Sequence, residues 1–226
     1  DNSLTGPLNW IYSPPGDMNL ILYYASFRVG KTLPSVEPGQ PHQLYYIGPT
    51  FYGNTTNIVA VYFEPPNCFR VLDPEVEENN RLLPPALRDV VKYTNQNVIL
   101  FEKAYELPSQ LYGTEPQKDW CYYFSQAELA RQKKDWGEVM RIADLAFALN
   151  DTPNDPVERF VYIEGYAHNG NWEKAVELSQ ASYKVSKSYV GPLLCKLWNR
   201  IERETESNTE QSAVINQVRG EFNCSP

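Results

Sequence analysis

Apolar positions in the second half of the chain recur at helical spacing. Tyr123, Ala127 and Ala130 fall on one face of a segment that Asp119 can cap, which predicts a helix from there to about Gln132. Val139, Ile142, Ala143 and Ala146 predict a second helix, from about Trp136 to Leu149. Pro153 and Pro156 then break the pattern, and two more helices are expected over Val157–His168 and Trp172–Val185. Leu193, Leu194, Leu197 and Ile201 predict a fifth, Tyr189–Glu202, suited to cover an open end of the stack. Thr205 to Ser212 is polar and reads as loosely ordered tail.

Two of these stretches resemble one another. Tyr123–Ala146 (YFSQAELARQKKDWGEVMRIADLA) and Arg159–Ser182 (RFVYIEGYAHNGNWEKAVELSQAS) each hold a helix, a polar break, an Asp-Trp or Asn-Trp pair and a second helix. Trp136 and Trp172 lie 36 residues apart, a period typical of stacked helical hairpins.

The first half follows other rules. Fourteen of the 18 prolines precede Trp120, which limits that half to strands, turns and short helices. Strands are expected at Gln43–Ile47, Asn57–Glu64 and Cys68–Leu72, the last two joined by a Pro65-Pro66-Asn67 turn. Pro84–Tyr93 reads as a helix opened by prolines, and Val98–Phe101 as a buried strand. Asp17–Arg28 reads as a helix with Asp17 as cap, although Leu20–Tyr24 fits a buried strand too. The fold class expected is α+β: a mixed α/β unit over 1–115, an all-helical unit over 116–204 and a tail over 205–226.

A net charge of −8, with 20 scattered basic residues, argues against a nucleic-acid backbone or an anionic membrane surface as partner. No apolar run reaches the roughly 18 residues of a membrane span. The chain opens Asp1-Asn2-Ser3 without an initiator Met, and reads as an excised piece. Cys68, Cys121, Cys195 and Cys224 have no C-x-x-C spacing, and only His42 and His168 join them, so no metal site and no cofactor is expected. In an extracytoplasmic setting the preferred pairings are Cys68 with Cys121 and Cys195 with Cys224, each pair being the nearer in sequence.

The repeats resemble degenerate tetratricopeptide repeats. Tyr166, Gly170, Trp172 and Ala175 carry the resemblance in the second; Ala127, Trp136, Ala143 and Ala146 carry it in the first, where Lys134 replaces the turn glycine. Ser179 and Ser182 stand where the family favours alanine. The resemblance implies a partner-binding concave face presenting Tyr123, Gln126, Arg131, Tyr162 and Tyr166, and a front half capping one end. A second resemblance rests on Cys68–Pro74 (CFRVLDP), Leu82–Pro85 and Trp120–Gln132 (WCYYFSQAELARQ). These are similar to soluble C-terminal regions of bacterial multi-spanning membrane proteins, some of them glycosyltransferase-like. It implies a domain on the extracytoplasmic face of a bacterial membrane, attached through a segment outside this chain, with a cytoplasmic adaptor as the alternative.

No G-x-S-x-G, G-x-x-x-x-G-K-[ST] or H-E-x-x-H pattern occurs, and no catalytic residue is assigned. Asp73, Glu75, Glu77 and Glu78 lack calcium-loop spacing and read as a solvated acidic loop. His168 reads as a structural residue at a helix C-terminus. Tyr45, Tyr46, Phe51 and Tyr52 lie among Gly and Pro as a candidate ligand surface for sugar rings, against the alternative that they fill the core of the first half. The expected role is a non-catalytic scaffold that binds a protein partner. An accessory saccharide- or acceptor-binding region of a membrane glycosyltransferase is the rival.

Overall fold

The computed structural model describes residues 2–13, 20–26, 37–45, 48–99, 109–113 and 117–224. The first half runs α1 (Asn2–Tyr12), β1 (Leu20–Ile21), β2 (Pro41–Tyr45), β3 (Thr50–Asn54), β4 (Val61–Tyr62), β5 (Arg70–Val71), α2 (Pro74–Glu77), α3 (Pro85–Val91) and α4 (Ser109–Tyr112). The second runs α5 (Trp120–Gln132), α6 (Trp136–Phe147), α7 (Phe160–His168), α8 (Trp172–Val185), α9 (Lys187–Glu204) and α10 (Thr209–Phe222). The fold is α+β. Among the described residues, no helix is long and apolar enough to cross a membrane.

The chain forms two compact units, and they do not divide at residue 115. Val61–Val71 and Glu75–Leu82 belong with the helices from Gln117 onward; 1–60, 72–74 and 83–116 form the other unit. Hydrophobic pattern alone could not show this, because these segments are held to the helices by contacts distant in sequence.

In the first unit β3 is central, antiparallel to β2 and parallel to β1. The helix expected over Asp17–Arg28 is not formed where that stretch is described: Leu20–Ile21 is strand and 22–26 is non-helical. The Asn9 side chain explains the outcome, since its Oδ1 accepts the Leu22 and Tyr23 N–H groups and its Nδ2 donates to the Tyr23 carbonyl. These backbone groups find partners without a helix. Thr55–Asn57 is a 3-10 turn capped by Asn54, so of the strand expected over 57–64 only Val61–Tyr62 pairs, with Arg70–Val71. Gln96–Val98 is likewise a 3-10 turn rather than the start of a strand, and residues 100–101 lie outside the described ones. The helix opened by Pro84-Pro85 forms as expected.

In the second unit each helix from α5 to α10 packs on the next, and α5 on α7, α7 on α9 and α8 on α10. Asp119 caps α5 by accepting from the Tyr122 N–H. α7 is central: every residue from Phe160 to Ala167 is buried. Gly165 permits its approach to α6, because a Cβ there would lie 2.4 Å from Val139 Cγ1. The expected tail is instead α10, capped by Asn208, with Gln211, Ile215, Val218 and Phe222 buried. Its end is tied to α9 by the Cys195–Cys224 disulfide. The polar character of 205–212 is that of a capped turn; Gln211 donates to the Glu202 carbonyl and to Thr205 Oγ1.

Candidate functional site

The turns that hold Lys134 and Gly170 are built alike. Asp135 N–H donates to the Ala130 carbonyl at 3.0 Å, and Asn171 N–H to the Tyr166 carbonyl at 2.9 Å. Lys134 and Gly170 sit in the left-handed region, at φ 57° and 76°. Asp135 and Asn171 then cap α6 and α8 by accepting from the Glu138 and Lys174 N–H groups. These are glycine-type C-terminal turns followed by side-chain N-caps. The equivalence extends inward: Val139 and Ala175, Ala143 and Ser179, and Ala146 and Ser182 are all fully buried. The serines keep these positions by hydrogen bonding. Ser179 Oγ donates to the Ala175 carbonyl and accepts from Trp198 Nε1, and Ser182 Oγ donates to the Pro156 carbonyl.

The indoles differ in one respect. Trp136 stacks on His168, with ring centroids 3.9 Å apart and planes 7° from parallel. Glu204 occupies the position equivalent to His168, and it pairs with Lys134 at 3.5 Å. Trp172 is buried. Burial holds the His168 imidazole below its usual pKa, with Lys134 and Arg200 adding to the effect and Glu204 opposing it.

The five residues expected on a concave face do not share one. Gln126 is exposed and Tyr123 half-buried, whereas Tyr162 is 0 % exposed, edge-on to Trp120 and Phe147. Tyr166 is also buried, its hydroxyl 3.5 Å from Asp144, and burial beside that carboxylate pushes its pKa up to about 12. Arg131 is committed to Glu128 at 2.9 Å and lies 4.0 Å from Glu164. Tyr162 and Tyr166 are therefore core residues, because α7 is enclosed on all sides.

The acidic stretch after Leu72 is not a solvated loop. Glu77 is buried and binds Arg70 at 2.7 Å, and Arg70 also reaches Asp155 at 3.2 Å. Glu75 meets Arg203 at 2.5 Å and Arg200 at 3.6 Å; Lys196 Nζ donates to the Glu78 carbonyl; Arg81 lies over the Tyr189 ring. As the segment advances its α9 partners fall in number, so Glu75–Leu82 runs antiparallel along α9. Arg200 in turn holds the buried Glu164 through two hydrogen bonds of 2.7 and 2.9 Å. Among the described residues no group of His, Cys, Asp and Glu could hold a metal ion.

A third cluster surrounds Glu158, which is 0 % exposed. Its Oε1 accepts the Cys68 N–H, and its Oε2 accepts Trp120 Nε1 and the Asn154 N–H. Cys68 is bonded to Cys121, the residue after Trp120. Both preferred cysteine pairings are thus formed. Burial raises the Glu158 pKa, and the nearby Asp155 adds to it, while the three N–H donors oppose the shift.

On the first unit, the register places Gln43 opposite Tyr52 and Tyr45 opposite Thr50, so Tyr45, Gln43 and Tyr52 share one sheet face. Tyr45 is 76 % and Tyr52 69 % exposed. Phe51 points to the other face, against Tyr24 and His42, and does not belong to that surface. Tyr46 lies outside the described residues. No family model, no curated protein and no solved structure matches this chain.

Proposed function

We propose that the chain is a non-catalytic interaction or scaffold domain on the extracytoplasmic face of a bacterial membrane-associated protein. In this reading it binds a protein partner through tetratricopeptide-like helical hairpins. The observation that carries it is the matched construction of the two turns, from the Ala130 and Tyr166 carbonyls through the Asp135 and Asn171 caps. Repeats of this kind stack into extended binding surfaces. The two disulfides support the extracytoplasmic setting, since cytosolic thiols are kept reduced.

The partner surface assigned here is the outer side of the first hairpin: Tyr123 and Gln126 of α5 with Arg141 of α6, whose charge lies close to Tyr123. A photo-crosslinking residue at Gln126, tested in the native membrane-bound protein, should capture one defined protein. Capture should be lost on Arg141→Glu, and the same probe at the exposed Gln217 of α10 should give nothing. Equal capture at both positions would defeat this assignment.

A second reading rests on the exposed Tyr45–Gln43–Tyr52 face, where the Gln43 amide lies 3.5 Å from the Tyr52 hydroxyl. Flat aromatic rings beside an amide suit the apolar face and hydroxyls of a sugar. An accessory saccharide- or acceptor-binding region of a membrane glycosyltransferase would then show glycan binding that is abolished by Tyr45→Ala and Tyr52→Ala.

A further inference from the structure

The hairpin formed by β4 and β5 is fastened at three polar points to the segment before α7 and at one covalent point to α5. Asn154 Nδ2 donates to the Pro66 carbonyl at 3.1 Å, Arg70 reaches Asp155 at 3.2 Å, and Cys68 N–H reaches Glu158 at 2.9 Å. The Cys68–Cys121 bond joins the same hairpin to the start of α5. Glu158 lies under this closure. One of its oxygens is bound by a disulfide residue, and the other by the indole next to the second disulfide residue. All three donors to it are neutral N–H groups, while the Arg70 guanidinium is hydrogen-bonded to Glu77 and Asp155. An ionised carboxylate held this way, away from water, opposes the closed hairpin.

We propose that Cys68–Cys121 is a redox-controlled latch over Glu158: reduction by a dithiol frees the Val61–Val71 hairpin, admits water to the carboxylate, and is thereby coupled to its ionisation. Cys68 is fully buried and Cys121 half-buried, so the dithiol's thiolate attacks Cys121 Sγ. The S–S bond breaks, Cys68 leaves as a thiolate and takes a proton. The dithiol's second sulfur, losing its proton, closes on the first and frees Cys121 as the second thiol. Two electrons pass from the dithiol, which becomes a cyclic disulfide. The charged and titratable groups facing Glu158 are Asp155 and Arg159 on its own segment, Arg70 on the hairpin and Tyr162 on α7. Asp151 lies across the Trp120 N–H at the start of α5. Burial raises the Glu158 pKa in the closed form. Closure is therefore favoured at low pH and weakens as pH rises through the carboxylate's titration.

The test equilibrates the full chain with a dithiothreitol redox buffer and reads each disulfide by isotope-coded alkylation and mass spectrometry. Cys195–Cys224 serves as internal reference, cancelling the buffer's own titration. Across about pH 5 to 8, reduction of Cys68–Cys121 relative to that reference should rise by about tenfold for each unit by which closure raises the Glu158 pKa. Glu158→Gln should abolish the slope, and Trp120→Phe, which removes one donor to the anion, should move it to higher pH. In the wild-type chain, reduction should also remove hydrogen-exchange protection from Val61–Val71 while α9 keeps its own. A ratio independent of pH, or a hairpin still protected after Cys68–Cys121 is reduced, would overturn the proposal. Both readouts use the wild-type chain, so neither depends on a variant that folds.

Discussion

Arg200 of α9 holds Glu164 of α7 in a two-point grip, and both side chains are almost wholly withdrawn from water. Taking two charges out of water is costly, and their attraction offsets that cost only while both are present. Removing one leaves the other buried: Glu164 would keep Arg131 at 4.0 Å, and Arg200 would keep Glu75 at 3.6 Å. Arg200→Leu is expected to lower stability by about 3–5 kcal/mol, and the pair Glu164→Leu with Arg200→Leu to recover most of the loss. Urea denaturation of the two singles and the double decides it. A double variant no more stable than Arg200→Leu would show that the pair contributes net stability.

Close approach of α6 and α7 at Gly165 makes a second test. A methyl placed 2.4 Å from Val139 Cγ1 cannot be accommodated without moving a helix. Gly165→Ala should cost about 1–3 kcal/mol despite alanine's better helix propensity. Val139→Ala in the same chain should relieve part of it, giving a positive coupling in a double-mutant cycle.

The sequence shows plainly what local chemistry decides. The Asp119 cap and the Pro84-Pro85 start of α3 each depend on residues within one turn of chain. α10 is masked in the sequence because its buried stripe (Gln211, Ile215, Val218, Phe222) opens with a glutamine, whose amide is satisfied by the folded Glu202 and Thr205. The burial of Tyr162 and Tyr166 is hidden in the sequence for another reason. A helix buried on every side has no polar face, so its sequence carries no phase. Glu75 reads as solvated because its cations, Arg200 and Arg203, lie on α9, more than a hundred positions away. Glu77 reads so because its burial with Arg70 depends on Asp155, more than seventy positions on.

The like geometry of the two turns makes opposite predictions for Lys134 and Gly170. Lys134 adopts the left-handed conformation that Gly170 adopts at the matching position. That conformation costs a residue with a Cβ roughly 1–2 kcal/mol. Lys134→Gly should thus raise stability by about 1 kcal/mol, its exposed pairing with Glu204 being a minor loss. Gly170→Lys should lower stability by a similar amount. Paired thermal melts would show effects of the same sign if the two turns were not equivalent.

Two groups whose pKa values are shifted chiefly by burial give opposite pH slopes. His168 is held below its ordinary value of 6.5 chiefly by burial, so the folded state resists its protonation. Its contribution is complete above that value and is lost as pH falls toward the lowered one. Glu158 is held above the ordinary 4.5, again chiefly by burial. Between that value and its raised one the folded state binds more protons than the unfolded chain, so stability falls as pH rises. Melting temperatures of His168→Gln relative to wild type should climb as pH drops below about 6.5. Those of Glu158→Gln relative to wild type should instead climb as pH rises from about 4.5, levelling once the carboxylate is ionised. The two variants separate groups whose effects partly cancel in the wild-type chain. A Glu158→Gln difference that does not change with pH would mean the carboxylate titrates alike in the folded and unfolded chain. The hairpin would then close over it without electrostatic consequence.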